Sequence, residues 1–182
     1  DTAPFKDVPA NHTFSGYIAY CAQKGIISGY ADGTFRPAGT LTGYAFMKML
    51  LGALGYDADI EGYTGSNWTV AVAKQAMGIG LDDGNDKFVG TQAVTREEAC
   101  LYAFNTLTAD VVEYGSKTTV NINGATVVVG GNEASKVSNT AAASKHYDGE
   151  GDGVMQFCEQ YFKDLKLKSG ESQDDFGRPA KT

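Results

Sequence analysis

The stretch Gly25-Ile26-Ile27-Ser28-Gly29-Tyr30-Ala31-Asp32-Gly33-Thr34-Phe35-Arg36-Pro37 decides how this chain is read. Asp32-Gly33 and Arg36-Pro37 forbid a continuous helix, so the stretch is a turn-rich loop. Upstream of it, Phe14, Tyr17, Ile18 and Cys21 fall at i, i+3, i+4 and i+7, one stripe of an amphipathic helix. Lys24-Gly25 closes that helix with a basic last turn and a glycine just beyond it. Downstream, Phe46, Met49, Leu50, Ala53 and Leu54 lay down a second stripe, and the whole reads as helix, loop, helix.

The pattern then repeats. Gly78-Ile79, Phe88, Val94-Thr95 and Leu107 follow Gly25-Ile26, Phe35, Leu41-Thr42 and Leu54 at an offset of 53, and Trp68, Val72 and Ala76 follow Phe14, Ile18 and Ala22 at 54. Two units result, 1–55 and 56–110, the second with stripes at Trp68, Val72 and Ala76 and at Ala99, Ala103 and Leu107. A helix pair this short cannot bury its stripe alone, so the units must pack on each other or on a third element.

After residue 110 the period changes. Val120 and Ile122 alternate with Asn121 and Asn123, and Asn123-Gly124 precedes a second β-branched run, Thr126–Val129, which predicts a hairpin over 118–129. Gly130–Ser144 is small and polar and reads as a surface loop. Val154, Phe157, Cys158, Tyr161, Phe162 and Leu165 restore a helical stripe, and the last fifteen residues read as a frayed polar tail. The expected fold is mainly α: a pseudo-symmetric helical bundle of helix–loop–helix repeats, with helices near 12–24, 42–54, 67–77, 95–107 and 153–166. A small β part accompanies it, and residues 111–182 (hairpin, polar loop and C-terminal helix) are the segment that would complete the bundle.

Composition narrows the function. With 182 residues, 42% hydrophobic and 20% charged, the chain can build a core. A net charge of −7 supplies no general field for nucleic acid or anionic lipid, so neither is an expected partner. No run of 18 apolar residues exists to enter a membrane. Cys21, Cys100 and Cys158 are too few and too far apart for a disulfide framework, and each reads as a small buried hydrophobe. An Asp at position 1 fits either an exported, processed chain or a trimmed one. His12 and His146 lie in no metal-protease spacing, and there is no nucleophile elbow, C-x-x-C or phosphate loop, so the expectation is a protein that is not an enzyme.

Phe5-Lys6-Asp7-Val8-Pro9, the Gly25–Pro37 loop and Thr95-Arg96-Glu97-Glu98 together resemble the S-layer homology (SLH) module of bacterial cell-surface proteins, with its F-x-D-V, G-I-I-x-G-Y-x-D-G-T-F-x-P and I-T-R-A-E elements. The resemblance covers residues 4–108. It implies an extracellular cell-surface location and a non-catalytic module that binds secondary cell-wall polysaccharide, often through a pyruvylated sugar, or peptidoglycan. Modules of this kind usually come in threes, with ligand grooves between their prongs. Here the first unit carries Thr42-Gly43-Tyr44-Ala45 in place of T-R-A-E, and the second has the divergent loop Gly80–Phe88. An arginine placed at position 43 is expected to restore part of a groove. The alternative is a structural or self-associating module that has lost wall binding.

The candidate ligand residues follow. Thr95 as N-cap and Glu98 at N3 form a capping box, which puts Arg96 at N1 with Glu97 beside it. A guanidinium there pairs an acidic sugar bidentately, and Arg96→Ala is expected to remove most binding. Tyr30, Asp32, Phe35 and Trp68 are the other candidates, because aromatic faces and carboxylates are what pyranose rings use; core plugs are the preferred reading of Phe35 and Trp68. Asp148, Glu150, Asp152 and Glu159 stand at positions 1, 3, 5 and 12 of an EF-hand-like spacing with Gly153 at 6. A solvated turn capping the last helix is preferred there over calcium, and no other cofactor is expected.

Overall fold

Helix α1 (Ser15–Gln23) ends on the glycine that the sequence marks for it. Gly25 takes φ 72°, its N–H donates to the Ala22 carbonyl at 3.1 Å, and the Ile26 N–H donates to Cys21 at 2.9 Å, closing a Schellman motif. The structure, a computed structural model, describes residues 4–122, 125–140 and 151–162. The expected Asn123-Gly124 turn, residues 163–166 of the expected last helix, and the polar tail lie outside the described residues.

The other helices are α2 (Gly43–Ala53), α3 (Trp68–Gly78), α4 (Arg96–Leu107) and α5 (Phe157–Tyr161). α3 closes as α1 does: Gly80 takes φ 74°, its N–H reaches Met77 at 3.1 Å, and the Leu81 N–H reaches Ala76 at 2.9 Å. The counterpart of Gly25 is therefore Gly80 and not Gly78, because α3 has 11 residues where α1 has 9. The strands are β1 (Val112–Tyr114), β2 (Thr118–Ile122), β3 (Ala125–Val129) and β4 (Ala134–Lys136). β2 and β3 form the expected antiparallel hairpin, Thr118 opposite Val129 and Ile122 opposite Ala125. The fold is thus mainly α with a minor β part. One segment departs from expectation: residues 134–136, read as loop, pair antiparallel with β1, Val112 opposite Lys136. Three residues of composition Ala-Ser-Lys are too short and too polar to show strand periodicity.

The chain divides into two compact units, one of Asp1–Ala53 with Asp57–Ala103 and one of Leu54–Tyr56 with Phe104–Thr182. Both repeats contribute to the first. Its core includes Phe5, Val8 and Ile18, with Ala22, Ile27 and Phe35 packed against them. Phe5 and Phe35 stack at 5.3 Å between ring centres. α2 packs on α3, and Met47, Leu51, Val72 and Ala76 are buried. Tyr102 of α4 is fully buried in place of the expected Ala99 and Ala103; its ring carries far more apolar surface, and the Asn85 side-chain amide donates to its hydroxyl at 2.7 Å. The α1 stripe is also misread: Ile18 is buried, whereas Phe14 and Tyr17 face solvent. Of the cysteines only Cys158 is buried; Cys21 is half-buried and Cys100 exposed.

The second unit is organised by a closed cycle of backbone hydrogen bonds. The Val111 N–H donates to Met155, Met155 to Val137, and Val137 back to Val111, at 2.8, 2.8 and 2.9 Å. Val111, Val112, Met155 and Cys158 are buried there. Glu159 is buried too, accepting from the Gln156 N–H at 3.1 Å and from the Asn139 side chain at 2.9 Å.

Gly43, at the start of α2, is buried, and a Cβ on it would lie 2.8 Å from Phe88 Cε2 and 3.1 Å from Gly90 Cα. The close approach, and not backbone conformation, requires glycine here. Gly43→Ala is expected to cost about 1 kcal/mol or more through overpacking. Gly43→Arg should disrupt the fold instead of restoring a groove. Urea unfolding midpoints check both, and a Gly43→Ala variant as stable as the parent would refute the assignment.

Candidate functional site

The loop from Gly25 to Pro37 is fixed from its own side chains outward. The Gly33 N–H donates to Tyr30 at 2.9 Å and the Tyr30 N–H to Thr34 at 2.8 Å, which folds Tyr30–Thr34 into a tight turn. Asp32 braces it: its Oδ1 accepts from the Thr34 N–H at 3.0 Å and from the Thr34 hydroxyl at 2.6 Å. Gly29 takes φ 67°, and a Cβ there would fall 2.8 Å from the Thr34 carbonyl, so the turn depends on glycine at that position. From the chain start, Asp7 reaches across with both carboxylate oxygens, accepting from the Phe35 N–H at 2.8 Å and the Arg36 N–H at 2.7 Å.

Arg36 is the product of this bracing. It stands at φ 61°, a left-handed conformation uncommon for a non-glycine residue. Its guanidinium lies 4.0 Å over the Tyr30 ring, meets Asp32 Oδ2 at 2.9 Å and reaches the Thr34 hydroxyl at 3.3 Å. These contacts use two of the five N–H donors, leaving the others for a ligand.

Arg36 faces a groove of about 480 Å³ between α1, the loop, α2 and the first residue of α3. Ile18, Ile27 and Met49 give it apolar surface. A second cation enters from α2: Lys48, whose ammonium sits 5.6 Å over the Trp68 ring. Among the described residues Lys48 has no carboxylate partner. The groove thus holds two cations, each supported by an aromatic ring. A guanidinium packed face-on against a ring keeps its edge open, which is the geometry that pairs a carboxylate bidentately.

The groove brings together three of the residues weighed as sugar contacts. Tyr30 and Trp68 line it, as ring supports beneath cations, and Asp32 reaches it only through Arg36. Phe35 lines it while stacking on Phe5. Arg96 and Glu97 lie elsewhere, exposed on the first turn of α4 and not among the groove's lining. The cap beside them is formed as expected: Glu98 accepts from the Thr95 N–H at 2.8 Å and its own N–H donates to the Thr95 hydroxyl at 3.1 Å. The Thr95 amide, then its hydroxyl, hold the Glu98 carboxyl below the usual range. Arg36 and Lys48 escaped the sequence reading because one stands at a variable position of the loop pattern and the other inside an apolar stripe. The available signal was Arg36 four residues after Asp32 and six after Tyr30.

Asp148 and Glu150 lie outside the described residues. Asp152 accepts from the Val154 N–H at 2.9 Å, and Glu159 is engaged at the start of α5. Among the described residues no three His, Cys, Asp or Glu side chains converge as a metal site, and no helix is long and apolar enough to cross a membrane.

The first unit thus combines a braced Gly-rich loop between two short helices with an apolar groove that carries two ring-backed cations. Residues 4–43 match the S-layer homology domain family, whose members are generally non-catalytic cell-wall anchoring modules of bacterial surface proteins. The match ends at Gly43 and does not extend over the second repeat. No curated protein matches the chain.

Asp32 titrates near 2, lowered from 3.8 first by the Thr34 hydroxyl, then by the Thr34 amide and Arg36. A depressed carboxylate contributes above its ordinary value and loses that contribution as pH falls through its folded value. The Asp32–Arg36 pairing should therefore persist at pH 4 and fail only towards pH 2. Thr34→Ala should move the Asp32 midpoint back towards 3.8, and by more than Arg36→Gln does. Carboxyl-carbon NMR titration reads this directly, and an unmoved midpoint in Thr34→Ala would contradict it.

Proposed function

We propose that this chain is a non-catalytic wall-anchoring module of a bacterial surface protein, binding an acidic secondary cell-wall polysaccharide through the groove at Arg36 and Lys48. The observation that carries the reading is the pair of ring-backed cations in one apolar groove, within and beside the stretch that matches the S-layer homology domain. An acidic sugar combines what such a groove recognises: a carboxylate for the guanidinium edge and ammonium, and an apolar ring face for Ile18, Ile27 and Met49. On this reading Tyr30 and Trp68 hold the cations, Asp32 and Thr34 position Arg36, and residues 56–110 are a diverged second module. Arg96 and Glu97 are then a separate, lesser contact.

Binding to purified wall sacculi, with and without their secondary polymer, tests it. The parent chain should bind only polymer-bearing sacculi. Arg36→Ala and Lys48→Ala should each weaken binding by about ten- to a hundredfold, the loss of a charge-assisted contact. Arg96→Ala should weaken it less. Binding that survives both groove substitutions would remove the groove from the mechanism, and a parent chain that ignores both kinds of sacculi would favour a structural module.

A further inference from the structure

The groove leaves a question about sugar rings. Both aromatic rings that line it with cations above them, Tyr30 and Trp68, have a face occupied by Arg36 or Lys48. Further exposed rings of this unit lie on α1, where His12 stands 6.0 Å from Phe14 and Lys24 covers one face of Tyr20. Phe14, Tyr17 and Tyr20 are 57%, 74% and 53% exposed, three large rings on one short helix and its N-cap, where burial would be usual. They fall three residues apart, about 4.5 Å of axial rise per step, close to the length of one hexopyranose. Tyr17 has no ring or cation partner among the described residues and itself lines the groove, so the middle ring of the row borders the groove and Phe14 and Tyr20 extend it on either side.

Charge singles out the occupant. The Ser15–Gln23 segment carries no charged side chain, and the cation beside it is Lys24, whose ammonium lies 5.7 Å over the Tyr20 ring. On a chain of net charge −7, the groove and the α1 row together present Arg36, Lys48 and Lys24. That is complementary to an acidic polymer, whereas a second copy docked through the same face would set these three cations against their own counterparts.

We propose that Phe14, Tyr17 and Tyr20 of α1, with Lys24 at the far end, form a second carbohydrate platform. On it lie the neighbouring sugars of the same polymer whose acidic unit occupies the groove. The inference rests on the groove reading above and adds an extended ligand to it: affinity grows with polymer length, because the groove takes one acidic unit and the helix face takes the next ones.

The test uses the full chain, a size-fractionated acidic secondary cell-wall polysaccharide and the shortest acidic fragment released from it, with calorimetry and light scattering as readouts. Phe14→Ala/Tyr20→Ala avoids the groove lining and alters exposed positions only. It should weaken the long polymer about tenfold, as two lost ring contacts do, and leave the short fragment unchanged. Tyr20→Phe should keep the parent's affinity for the long polymer and Tyr20→Leu should lose about threefold, the share of one ring, which separates ring stacking from general apolarity. Lys48→Ala should weaken both ligands. Unchanged polymer binding in Phe14→Ala/Tyr20→Ala, with Lys48→Ala impaired, would overturn the platform and spare the groove. A parent chain that binds neither ligand overturns both. A shift in oligomeric state caused by Phe14→Ala/Tyr20→Ala would assign the face to self-association and overturn the platform.

Discussion

The first unit depends on one carboxylate. Asp7 accepts from two consecutive amides, those of Phe35 and Arg36, and so ties the chain start to the far end of the loop. Those amide contacts, the Phe35 one foremost, hold its carboxyl below the ordinary range. The tie does two things at once. It sets the Phe35 ring on Phe5, which closes the small core with Val8 and Ile18. It also holds Arg36 in a left-handed conformation that a free chain would seldom adopt, and that conformation lets the guanidinium lie on Tyr30. Core and groove therefore share a single anchor, and the lysine beside it assists: Lys6 donates from its backbone to Gly33 and from its ammonium to the Asp32 carbonyl.

The two helix–loop–helix stretches differ at the groove positions. At the offset of 53 that relates Phe35 to Phe88, Arg36 and Lys48 correspond to Val89 and Leu101, so the second stretch keeps neither groove cation. Its Phe88, the counterpart of Phe35, instead packs edge-on against Tyr44 and Tyr102 and fills the space beside Gly43. The glycine that replaces an arginine of the family pattern is thus explained by what presses on it. The first stretch lines an open groove, and in the second Phe88 packs between Tyr44 and Tyr102.

Much of this was legible because it is local. Helix ends are written in the residues that make them: Gly25 closes α1, and Thr95 with Glu98 opens α4 where the capping pattern places it. The hairpin register of β2 and β3 follows from two β-branched runs and a two-residue turn signal. Tertiary choices were not legible. Periodicity treats Phe14 and Tyr17 as core by residue type, yet α1 needs only Ile18 and parts of Cys21 and Ala22 to seal against the loop. β4 exists because β1 offers it an edge, and nothing in Ala-Ser-Lys announces that. Arg96 drew attention as the arginine of a recognised motif, while the arginine and lysine that share a groove are made neighbours only by the bend of the loop.

The proposed anion-binding groove lies on an acidic chain, which raises an electrostatic objection, and distance answers it. At physiological ionic strength charges more than about 8 Å apart are largely screened, so the dispersed carboxylates behind a net charge of −7 contribute little at the groove itself. The groove is governed by the groups that line it, Arg36 and Lys48, and by Asp32 as the nearest acid. Asp32 is already engaged by Thr34 and Arg36: it lowers the charge a ligand would see but fixes the guanidinium's orientation, accepting from Nη2 while Nε donates to the Thr34 hydroxyl, so that Nη1 keeps its donors for a ligand. The background negative charge then has a useful sign, for it weakens unspecific contact with anionic polymers everywhere except where two ring-backed cations stand together.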